Sequence, residues 1–171
     1  MKTLKKLLLP LFTILLLIPC YVHAQVDISV SARVLESLVV TAVNDLEFGD
    51  IVAGNTSAVA PDDATAGQYE ISGEAGSEVS LSFTLPSNLE LVLDPSFTMP
   101  ISFSNSDGIH STTNDAGAGS TFDPNVVHTP TLNAMNGDLY IFIGGEVTAA
   151  PGQEPGNYEG TITLTVEYTG N

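Results

Sequence analysis

Residues 158–168 read Tyr-Glu-Gly-Thr-Ile-Thr-Leu-Thr-Val-Glu-Tyr, and this alternation decides the fold class. Tyr158, Ile162, Leu164, Val166 and Tyr168 share one face with Gly160, while Thr161, Thr163, Thr165 and Glu167 share the other. A period of two marks a strand with one dry and one wet face. Branched and aromatic residues on the dry side and threonine on the wet side suit a pleated surface. A helix needs apolar residues three and four apart, and no stretch beyond residue 24 keeps that spacing for three turns.

The same pattern recurs upstream. Val26, Ile28, Val30, Ala32 and Val34 alternate with Asp27, Ser29, Ser31 and Arg33 and read as a half-buried strand. Residues 38–43 read as a short, continuous apolar strand, and 46–52, 68–72, 79–85, 99–104 and 139–147 (LYIFIGGEV) are further candidate strands. Asn55, Gly73, Gly76, Pro95, Asn136-Gly137-Asp138, Pro151-Gly152 and Pro155-Gly156 punctuate them. About eight to ten short strands separated by turns predict an all-β fold, an antiparallel β-sandwich, in preference to a closed barrel. Residues 105–125 form a polar, Gly/Ser/Thr-rich stretch, expected to be a disordered crown or a recognition loop.

The chain has 171 residues, 20 acids and 4 bases. Lys2, Lys5 and Lys6 precede an apolar run at residues 7–18, and Val22-His23-Ala24 ends on a small residue. This is the pattern of a cleavable signal peptide over residues 1–24. An uncleaved anchor and a lipid-attached Cys20 are the alternatives, although Pro19 occupies the place where lipidation wants a small residue. Export predicts a secreted protein of the periplasm, cell surface or extracellular space, a single domain over residues 25–171, and no membrane span after cleavage. Beyond residue 24 the one base is Arg33. Phosphate backbones are held by Lys and Arg, so nucleic-acid binding is excluded as a partner class. The one cysteine, Cys20, leaves with the signal, so no disulfide is expected.

Catalytic signals are lacking. His110 and His128 are the histidines beyond residue 24, and they read as polar residues in or beside the long loop. No serine stands in a Gly-x-Ser-x-Gly elbow. No enzyme, catalytic residue or cofactor is expected. Calcium is the ion that the oxygen-rich turns could serve, through Asp107, Asp115 and Asp138, but none fits a twelve-residue loop ending in Glu. Asx residues in turns explain the same letters through local backbone hydrogen bonds.

Two motifs together resemble a known group. Val43-Asn44-Asp45-Leu46-Glu47-Phe48-Gly49-Asp50-Ile51 stands early, and Pro155-Gly156-Asn157-Tyr158-Glu159-Gly160-Thr161 opens the closing strand that ends at Tyr168. Together with Ile143-Gly144-Gly145-Glu146-Val147 ahead of the closing strand, they resemble secreted bacterial β-sandwich domains similar to spore coat protein U and chaperone–usher fimbrial subunits, a large subgroup of which is labelled a domain of unknown function. Read from the residues alone, Leu46 and Phe48 fill the core on a shared face, Gly49 permits a bulge or close backbone approach, and Gly156 and Gly160 permit a tight strand entry.

The resemblance implies an immunoglobulin-like, pilin-like sandwich whose exposed edge is completed by a strand from a periplasmic chaperone or another copy. Val26, Ile28, Val30 and Val34 are the candidate donor strand; an ordinary first strand paired within its own domain is the alternative. Two departures stand out: the relatives usually carry a disulfide, and Gly170-Asn171 extend past the closing aromatic. The function expected is an exported, non-enzymatic structural or adhesive subunit. The alternative is a carbohydrate- or calcium-binding module read by residues 105–125, where Phe122 is the one aromatic available for stacking.

Overall fold

The computed structural model describes residues 25–170. The expected signal peptide lies outside them. The chain divides into residues 1–33 and residues 34–171. In the first unit, residues 25–33 form no strand, and Val26, Ile28 and Val30 are exposed. Val34, which opens the second unit, is exposed as well. The half-buried first strand expected there is therefore not formed. Alternation supplies a dry face, but a strand also needs a neighbour for its backbone groups.

The second unit is all-β, with antiparallel sheets in a sandwich-like arrangement, 43% strand and 2% helix. Its strands are β1 (Val39–Asn44), β2 (Thr56–Val59), β3 (Gly67–Ser72), β4 (Val79–Thr84), β5 (Asn88–Leu91), β6 (Asp94–Ser102), β7 (Gly108–Ser111), β8 (Ser120–Phe122), β9 (Asp138–Ile143), β10 (Gly145–Thr148), β11 (Tyr158–Glu159) and β12 (Thr163–Tyr168). One sheet runs β1-β3-β9-β7-β8, a second β11-β5-β6-β10-β2, and β12 pairs with β4 in a two-stranded ladder. The free side of β4 is bridged at Glu78↔Thr131 and Leu81↔His128, with Leu81 and His128 exchanging backbone hydrogen bonds of 2.7 and 3.1 Å.

Burial explains this division. Ile71, Val79, Leu81, Phe122, Leu132, Leu139, Ile141 and Ile143 make one core, between the first sheet and the β4–β12 ladder. Leu89, Met99, Ile101, Val147 and Ala149 make a second core on the second sheet. Strand β9 lies between β3 and β7, so Leu139, Ile141 and Ile143 turn inward with no exposure at all. With one cysteine in the chain there is no intramolecular disulfide, and stability rests on these two clusters.

Two expected strands are each two. Residues 139–147 split at Gly144 into β9 in one sheet and β10 in the other. A Cβ at Gly144 would run into the carbonyl oxygen of Val59 and stand 2.8 Å from the Pro61 nitrogen, so only glycine lets the chain cross there. Residues 158–168 split likewise: Tyr158 packs on the second core from β11, whereas Leu164, Val166 and Tyr168 pack on the first from β12. A Cβ at Gly160 would meet Leu89 Cδ2 at 2.7 Å, and one at Gly156 would meet Leu91 Cδ1 at 2.5 Å. Strands that change sheets at corners keep the alternation in sequence while changing partners.

Residues 46–52 form no strand. Phe48 and Ile51 cover the second core, and Leu46 packs beside Gly67 of β3 instead. Gly49 has φ +68° with open space where a Cβ would go, so it serves a turn and not a close approach. Residues 105–125 are ordered and not a crown: they hold β7, β8 and a short 3-10 turn at Ala116–Ala118, with Ile109, Ser111 and Phe122 buried. Of their few apolar residues Phe122 joins the first core, and Ile109 is buried opposite Phe142 of β9.

Candidate functional site

Strands β1, β2, β8, β11 and β12 each have a single ladder neighbour, and β1 and β12 are the two of them tied together by tyrosines. β1 pairs only with β3, and β12 only with β4, in registers from Val39↔Ser72 and from Thr163↔Thr84. Each therefore leaves one row of backbone N–H and C=O groups unpaired by a ladder. On β12, Leu164, Val166 and Tyr168 lie against the core while Thr163, Thr165 and Glu167 face water, as the alternation requires. The inward side chains are only partly buried, as are Leu38, Tyr69 and Ile162 around them. On β1 both faces are exposed, with Val39 at 55%, Val40 at 39% and Val43 at 45%. The first core is thus incompletely covered along these edges.

Two tyrosines stitch the edges together. Tyr69 on β3 donates its hydroxyl to the Ile162 carbonyl at 2.9 Å, just ahead of β12. At the other end, Tyr168 donates to the Glu36 carbonyl at 2.8 Å and accepts from the Glu74 N–H at 2.7 Å. Burial, with the Asp45 charge in second place, pushes the Tyr69 hydroxyl above the usual phenol range, so it remains a donor at any ordinary pH. Tyr168 thus fixes the chain just before β1, immediately after the exposed apolar residues Val26, Ile28, Val30 and Val34. Tyr158 does the same work on the second core, donating to the Glu154 carbonyl at 2.8 Å and accepting from Gln153 at 2.6 Å.

A second constellation was not anticipated. His110 on β7 and His128 beside β4 are not loop residues free in solvent. His128 Nε2 and His110 Nδ1 face each other at 3.0 Å. The His128 ring stacks on Phe122, with centroids 4.6 Å apart and planes 6° apart, and Phe122 stacks on Phe83 at 5.9 Å. The pair joins the first sheet to the β4 layer. Eighteen residues separate the two histidines in sequence, and no local spacing could announce their meeting.

Burial pushes both imidazoles below the usual histidine range, and the neighbouring His110 adds to the effect at His128. The folded protein therefore takes up these protons less readily than the unfolded chain. Stability is expected to be level above the unfolded histidine value of about 6.5 and to fall as pH drops below it, because the unfolded state binds protons first. Urea midpoints at pH 7.5 and 5.5 check this, since most carboxylates stay ionised across that window. His128→Asn should flatten the difference, and an unchanged difference would show another group at work.

The three acids considered for calcium lie apart in function and place. Asp107 accepts from Ser104 N at 2.6 Å and Ser104 Oγ at 2.7 Å. Asp115 caps the 3-10 turn by accepting from Gly117 N at 2.9 Å. Asp138 accepts from Ser72 Oγ at 3.0 Å and Asn136 Nδ2 at 2.7 Å. Among the described residues no three His, Cys, Asp or Glu side chains are grouped to hold a metal, and no helix is long and apolar enough to cross a membrane. Residues 38–168, from just before β1 to the end of β12, match the family model described as "Domain of unknown function (DUF4402)". No curated protein matches the chain.

Proposed function

The chain belongs to the DUF4402 domain family, and from that premise we propose that it is an exported, non-enzymatic structural or adhesive surface subunit that assembles by strand addition. The observation that carries this reading is the pair of open edges, β1 and β12, flanked by half-exposed core side chains. An extended segment that adds to such an edge gains main-chain hydrogen bonds, and its alternate side chains gain apolar cover. The occupant is the segment at residues 26–34 of another copy. Its Val26, Ile28, Val30 and Val34 are exposed at 86–93% and spaced to point to one side when extended. A periplasmic chaperone offering an equivalent strand is the partner expected before assembly. Coat-like and fimbria-like subunits use the same arrangement, which the closing motif up to Tyr168 resembles.

The segment can be supplied separately. A peptide of residues 25–35 added to protein that begins at Glu36 is expected to shift the backbone amide signals of β12 and β1 and to protect them from hydrogen exchange. A peptide with Ile28 and Val30 changed to Ser should not. Shifts spread over β5 and β6 instead, or none at all, would overturn strand addition at these edges.

A further inference from the structure

We propose that His110 and His128 form a chelating site for a divalent transition ion, Cu²⁺ or Ni²⁺ before Zn²⁺. Unprotonated imidazole nitrogen is the donor these ions favour. With metal–nitrogen bonds of about 2.0–2.1 Å, two nitrogens at a right angle on one ion stand about 2.9 Å apart, and at a tetrahedral angle about 3.3–3.4 Å. His110 Nδ1 and His128 Nε2 stand 3.0 Å apart, so the pair already has the spacing of neighbouring positions on a square-planar or octahedral ion. Zinc would need the rings to part by a few tenths of an ångström.

The surroundings hold that spacing. The His128 backbone is locked to Leu81 by reciprocal hydrogen bonds, and its ring is fixed by the Phe122 stack. His110 is held on β7 opposite Ile141 of β9 and Ser120 of β8. Both rings are only partly buried, which leaves one side for water to complete the coordination. Both are kept uncharged at neutral pH by the burial described above. Taking up the ion needs no net proton release. The proton shared between the facing nitrogens moves to the far nitrogen of its ring, and both facing lone pairs turn to the metal. The ion would then clamp the first sheet to the β4 layer, replacing one hydrogen bond with two coordinate bonds.

The experiment uses untagged protein titrated with Cu²⁺ and followed by calorimetry and electron paramagnetic resonance. A signal with two nitrogen ligands is expected. His110→Ala and His128→Ala should each weaken binding by about 10- to 100-fold or more, since even loss of an outer partner of a metal ligand costs that much. The many carboxylates of this chain provide the competing explanation, and oxygen-only coordination, or unchanged affinity in both variants, would overturn the site. Because a variant could lose binding by losing its fold, Zn²⁺ is also titrated into unmodified protein labelled with ¹⁵N in histidine. Selective shifts at His110 Nδ1 and His128 Nε2 support chelation; shifts elsewhere in preference to them refute it.

Discussion

Protein beginning at Glu36 is expected to run as a monomer at concentrations where protein beginning at Gln25 forms larger species. The reason lies in what residues 25–35 offer and what the sandwich lacks. Four apolar side chains in that stretch are almost wholly exposed, a poor arrangement in water unless something covers them. The first core in turn leaves Leu38, Tyr69, Ile162, Leu164, Val166 and Tyr168 only partly covered beside two open edges. Joining the two would satisfy both, and because donor and acceptor are different parts of the chain, the expected contact runs head to tail and would build a chain of copies.

Charge is expected to modulate this association. Residues beyond 24 carry Arg33 against all 20 acids, so copies repel each other at low ionic strength. Salt shortens the range of that repulsion to about 8–10 Å near 0.1–0.15 M. Association should therefore strengthen with salt in protein beginning at Gln25, while protein beginning at Glu36 stays monomeric. Sedimentation velocity at low and high salt reads both outcomes. Equal masses for the two proteins under every condition would end the strand-addition reading.

The largest effect on stability is expected from Leu139→Ala. Leu139 is wholly buried on β9, the strand between β3 and β7, and it stands opposite Ile71 in the same core. Truncation removes buried carbon and leaves a cavity that sheets on both sides prevent from collapsing. Such changes cost about 2–5 kcal/mol. With no intramolecular disulfide to offset the loss, it should appear in full as a lower urea midpoint at unchanged slope. Met135→Ala, at a side chain 94% exposed, is the control and should stay within about 0.5 kcal/mol. A Leu139→Ala loss below that level would mean that the first core does not carry the fold.

Much of the sandwich was legible because its strands are written as alternation. β3, β4 and the inward row of β12 fall where period two places them, and β1 falls on the short continuous apolar run at 38–43. The errors share one cause: alternation records which side of a strand is dry but not which strand lies beside it. Residues 26–34 have the pattern and form no strand. Residues 46–52 have it and pack as irregular chain. At Gly144, and again over residues 160–162, the pattern runs through a corner where the chain leaves one sheet for the other. β7 and β8 escaped notice because so few of their side chains are apolar, Ile109 and Phe122 being the large apolar residues they bury and Phe122 alone joining the first core.

The functional features divide in the same way. The exposed apolar row at Val26, Ile28, Val30 and Val34 and the acidity of the chain can be read from the letters. That β1 and β12 are left as edges, that Tyr69 and Tyr168 tie them together, and that His110 meets His128 cannot. The sequence by itself determined an all-β chain, because the spacing of apolar residues is a local property of the backbone's two-residue repeat. Only the tertiary structure decided which edges stay open and which side chains converge, because pairing and burial join residues that have no relation along the chain.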